Sequence, residues 1–99
     1  MIVSWSQEAG ENLVVIEEFI ARDSVERAVR FVDALIDQTE AILADNPKSG
    51  RTVPEIGNPD IRELIYRGYR IVNRLDGDQI YILTVFEGHR LLRLNESGD

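Results

Sequence analysis

The chain of 99 residues has no cysteine, one lysine, one histidine and one tryptophan. Without cysteine it has neither a disulfide framework nor a thiolate metal site, a composition that fits a reducing compartment. No stretch approaches the ~18 apolar residues that a membrane-spanning helix needs. The segment Met1–Ser6 lacks the basic and apolar regions of a secretory signal, so a cytoplasmic location is expected. Positive charge is also scarce: the formal net charge is −7. Proteins that hold nucleic acid by charge are ordinarily basic, so avid, non-specific nucleic-acid binding is not expected. Internal repeats, low-complexity runs and convergent His, Asp or Glu spacing are missing too, so neither a metal nor a cofactor is expected.

The charge that is present is unevenly placed. Residues 1–60 hold twelve acidic and five basic residues, whereas residues 61–99 hold six of each. Six of the ten arginines lie in that second part: Arg62, Arg67, Arg70, Arg74, Arg90 and Arg93. With 43 % apolar residues the chain is ordinary for a globular domain, and its length suits a single one over residues 1–99.

Local patterns predict the elements. Ile2–Trp5 reads as an opening strand and Ser6 as a helix cap. Ala9, Leu13, Ile16, Phe19 and Ile20 then recur at helical spacing. Asp23-Ser24 breaks that helix and caps a second, in which Val25, Ala28, Val29, Val32, Leu35, Ile36, Thr39, Ile42 and Leu43 keep the same rhythm. The short break makes the two an antiparallel pair. Residues 46–60, rich in Pro, Gly and Asn, read as a linker across the molecule, with Gly50-Arg51 as a turn. Strands are expected at Ile61–Tyr66, Tyr69–Leu75 and Gln79–Phe86, with turns at Arg67-Gly68, Asp76-Gly77 and Glu87-Gly88. A last strand is expected through Leu94 and a frayed tail at residues 95–99. The order implies an α+β fold, an N-terminal strand and a helical hairpin packed on a mostly antiparallel sheet.

Arg70 and Arg74 are the puzzle, since they stand in an otherwise apolar hairpin and arginine is seldom buried without a partner. They stand four positions apart, an even step, so they share a strand face. Either they face solvent or they hold acids, and Glu63 in the preceding strand is a candidate partner.

Taken in order, several pieces resemble the ParE/RelE superfamily, the toxin halves of type II toxin–antitoxin pairs, and its ParE branch more closely. They are Val3-Ser4-Trp5-Ser6 leading to Ala9 and Leu13, then Phe19-Ile20, Ala28, Phe31, Asn46-Pro47, Gly50-Arg51 and Val53-Pro54-Glu55. Arg62-Glu63-Leu64, Tyr69-Arg70-Ile71-Val72, Ile82-Leu83 and Val85-Phe86-Glu87-Gly88-His89-Arg90 complete the series. The resemblance implies a toxin bound by a cognate antitoxin, inhibiting DNA gyrase by binding, without a catalytic constellation of its own, and associated with plasmid stabilisation. For antitoxin or target binding it points to Trp5, Arg62, Arg70, Arg74, Arg90 and Arg93. The RelE branch implies an alternative, a ribosome-dependent mRNA endonuclease. There Arg70 and Arg90 would hold the phosphate while His89 or Glu87 moved protons. The lysine cluster and the C-terminal tyrosine of that branch are missing here. Asn73 stands where the family usually has tyrosine, which leaves a third reading, an inactive member that only binds its partner.

Overall fold

The computed structural model describes residues 2–88. Ser6 organises the first junction. A strand, β1 (Ile2–Trp5), ends at it and a helix, α1 (Gln7–Ala21), starts from it. The Ser6 Oγ accepts the Ala9 N–H at 3.0 Å, the expected cap. After the break at residues 22–24, Ser24 caps α2 (Val25–Asp45) by accepting the Arg27 N–H at 3.1 Å. Four strands follow: β2 (Arg51–Thr52), β3 (Ile61–Tyr66), β4 (Tyr69–Asp76) and β5 (Gln79–Glu87). They form one sheet with β1, in the order β1-β5-β4-β3-β2. The pairings are antiparallel except that of β1 with β5, which is parallel. The α+β fold expected from the sequence is the one observed.

The helices lie on one face of this sheet. Ala9, Leu13 and Ile16 of α1 and Val32, Leu35 and Leu43 of α2 meet Ile71, Ile80, Ile82 and Val85 from β4 and β5. The buried stripe is narrower than the apolar periodicity suggested. Phe19 is 61 % exposed, and Val25, Val29 and Ile42 are exposed as well. Each helix touches a single layer, so only positions near the centre of its apolar arc reach the core.

Three local expectations need correction. Gly50-Arg51 is not a free turn, because Arg51 opens the two-residue edge strand β2, opposite Glu63. The hairpin turn after β4 is Gly77-Asp78, with Asp76 and Gln79 as the closing pair. Gly77 has φ 63° at the first turn position, where a two-residue turn of the II′ kind requires glycine. Glu87 ends β5, and the N–H of Gly88 donates to the Gly68 carbonyl. The last strand and the tail lie outside the described residues.

β5 carries a bulge. Val72 faces Thr84 and Asn73 faces Ile82, so Leu83 is the extra residue. Ser6 clamps it, since its N–H donates to the Ile82 carbonyl at 3.0 Å and its hydroxyl donates to the Leu83 carbonyl at 2.9 Å. One serine thus caps α1 and fixes where β5 bends.

Gly50 packs against the backbone of Glu63, where an added methyl group would overlap the Glu63 carbonyl. Gly50→Ala is therefore expected to destabilise the fold by about 1–3 kcal/mol, the usual range for overpacking. Urea unfolding with an unchanged midpoint would contradict this.

Candidate functional site

The sheet face opposite the helices carries the charged residues. Arg70 on β4 sits across from Ile65 of β3 and Phe86 of β5. Its Nε donates to Glu63 Oε1 at 2.6 Å, and its two terminal nitrogens donate to the two oxygens of Glu55, each at 2.8 Å. The other Glu63 oxygen accepts from Arg51 Nε at 2.5 Å. Among the described residues, two arginines and two glutamates thus meet in one network. The Phe86 ring lies 5.0 Å from the Arg70 guanidinium carbon and covers it. Arg70 is only 4 % exposed and Glu63 1 %. The paired hydrogen bonds to Glu55, foremost, and the one to Glu63 push the Arg70 pKa up although burial alone would lower it, so the guanidinium is charged at any working pH.

Glu63 was legible in the sequence as a cross-strand partner. Glu55 was not, because it stands on the loop after β2, and only the folded path of that loop lays it over the sheet. Its place in Val53-Pro54-Glu55 was the one available signal.

The remaining candidates are dispersed. Arg62 donates to the Gly50 carbonyl at 3.0 Å from a half-buried position, and its Nε has no partner among the described residues. Arg74 is exposed and stacks 5.3 Å from the Tyr81 ring. Trp5 packs against the core edge and donates its indole N–H to Glu40 at 2.8 Å, tying β1 to α2. Glu87 is exposed at the end of β5; its charge, after burial, raises the Tyr69 pKa. His89, Arg90 and Arg93 lie outside the described residues. Among the described residues no group of His, Asp or Glu is placed to hold a metal ion, and no helix is long and apolar enough to cross a membrane.

A groove of about 330 Å³ opens between α1 and the end of β5. Beyond Ile82, β5 has no strand on its outer side among the described residues, because the chain leaves β1 for α1 at Ser6. Asn12 covers part of that edge: its Oδ1 accepts the Val85 N–H and the Thr84 hydroxyl, both at 2.9 Å. Next to it Val15 and Phe19, 63 % and 61 % exposed, present apolar surface on the groove wall. Sequence periodicity assigned Phe19 to the core and passed over Val15.

A helical hairpin packed on one face of a five-stranded, mostly antiparallel sheet is the RelE/ParE-like arrangement of α+β proteins. The chain belongs to the ParE toxin family of type II toxin–antitoxin systems, whose family model matches residues 3–92. Among solved structures it is similar to a chain of the "Chromosomal ParDE TA system from P. aeruginosa", with a TM-score of 0.72 and 23 % identity, covering 88 % of this chain and 95 % of that one. At that identity the likeness is one of fold. No curated protein sequence matches significantly.

Removing the Asn12 acceptor strands a strand-edge N–H, so Asn12→Ala should cost about 1–3 kcal/mol, whereas exposed Arg74→Ala should cost less than about 1 kcal/mol. Chemical denaturation of the two variants checks the contrast, and equal losses would contradict it.

Proposed function

We propose that this protein is a toxin that acts by binding, inhibits DNA gyrase and is neutralised by a cognate antitoxin. Membership of the ParE toxin family gives the class. The observation that carries the choice of mechanism is the state of Arg70. An endonuclease of the RelE type would use this guanidinium to stabilise phosphate. Here it is buried and engaged by two carboxylates, so freeing it for phosphate would break its bonds to both and leave buried Glu63 with Arg51 as its one cation among the described residues.

The groove between α1 and β5 supports a protein partner. It offers apolar side chains next to a strand edge that, among the described residues, only Asn12 covers in part, features that suit a peptide that orders as it docks. A disordered antitoxin segment laid there would gain apolar burial from Val15 and Phe19 and main-chain pairing from β5.

Two measurements test the reading. Co-expression with the product of the adjacent small gene, followed by tagged pull-down, should yield a stoichiometric complex; its failure to appear would refute the antitoxin assignment. The purified toxin should block supercoiling by purified gyrase while translated mRNA stays intact during growth arrest. Cleaved mRNA would move the protein to the RelE mechanism, and unchanged colony formation after strong induction would show an inactive member.

A further inference from the structure

A second groove, of about 410 Å³, lies between the first half of α2 and the β3–β4 turn. Its polar lining has one sign. Arg27 and Arg30 come from α2 and Arg67 from the turn, over a floor in which Phe31 contacts Tyr66 and Tyr69 edge to face at 5.6 and 5.8 Å. All three arginines are exposed, and among the described residues none is in an ion pair. In a chain of net charge −7, three guanidinium groups around one groove, with no carboxylate among its lining residues, are out of keeping with the rest of the surface.

The turn adds an independent sign. Arg67 has φ 47° and Gly68 φ 87°, the pattern of a I′ turn, whose first position favours Asn, Asp or Gly. Arg67 is the one described non-glycine residue with positive φ, and its guanidinium lies over the Tyr66 ring at 5.8 Å. Backbone strain of this sort is characteristic of functional positions. It places a cation at the groove rim where a relaxed turn would have none.

The two grooves form one track. Tyr69 lines both, and the successive residues Phe19 and Ile20 line the first and the second. Resting on the antitoxin reading above, we infer that the arginine groove takes an acidic stretch of the antitoxin, continuous with the apolar stretch that fills the groove beside β5. The occupant therefore has apolar anchors followed or preceded directly by Asp and Glu residues that face Arg27, Arg30 and Arg67. Nucleic acid fits the same cations less well, because its phosphates run on beyond three cations over a surface of net charge −7, whereas a short acidic stretch ends with them.

The test is affinity for the full-length product of the adjacent small gene, compared between the wild-type toxin, the double variant Arg27→Ala/Arg30→Ala and Arg67→Asn. Arg67→Asn relieves the turn, so its unfolding temperature should equal or exceed that of the wild type and any loss of binding is not a loss of folding. The double variant should raise Kd about tenfold or more, with a shallower dependence on salt, and Arg67→Asn should raise it severalfold. A wild-type complex that both variants hold with unchanged Kd and salt dependence would overturn the arginine groove and leave the antitoxin reading standing. No wild-type complex would overturn both. In a parallel arm with single-stranded RNA and DNA oligonucleotides, binding by the wild type that the double variant loses would reassign the groove to nucleic acid and overturn the proposal.

Discussion

The contact between Arg70 and the carboxylates of Glu63 and Glu55 is the constraint on which the rest of this structure depends. It joins β4 to β3 and both to the loop after β2, and through Arg51 it reaches the edge strand. Its members are of little use separately. A buried arginine or glutamate without its partner costs about 3–5 kcal/mol, while the assembled set is neutral and hydrogen-bonded. Val53, fully buried one residue beyond β2, and Val72 on β4 occupy the apolar surroundings that make the pairing strong and its disruption costly.

The same network separates two ways of being a toxin on one fold. A catalytic arginine has donors to spare for phosphate; Arg70 has its donors directed at protein carboxylates. What the described surface offers instead is suited to binding. The helical hairpin buries a narrow stripe and, among the described residues, leaves Val15 and Phe19 outside, next to a strand edge that Asn12 covers only in part. The arginine groove continues from Tyr69 along the other side of the hairpin. Uncovered apolar groups and unpaired cations both cost a free monomer something, and a folding partner that covers them recovers it.

Features encoded within a few residues were legible in the sequence. The caps at Ser6 and Ser24, both helices and the turn at Arg67-Gly68 follow from local chemistry, and the order of elements carried the fold class. Features set by contacts between distant segments were not. Nothing in Ile2–Trp5 says that this strand runs parallel to β5, and nothing in Leu83 says that it is the extra residue of a bulge. Phe19 keeps the helical rhythm yet faces out, since periodicity gives the direction of an apolar arc and not its buried width. The site was half legible: the charge conflict at Arg70 was visible, and so was Glu63, but Glu55 reaches Arg70 only by way of a loop whose path the sequence does not declare.

The most direct test of the structural role of Arg70 is a double-mutant cycle on Arg70 and Glu63, read by urea unfolding of Arg70→Met, Glu63→Leu and the pair. If the ion pair ties the sheet together, each single variant loses about 2–3 kcal/mol, because Arg51 still holds Glu63 in one and Glu55 still holds Arg70 in the other, and the double variant recovers at least about 1 kcal/mol of the summed loss. Losses that add to within about 0.5 kcal/mol would contradict the account and return Arg70 to the pool of residues available for chemistry.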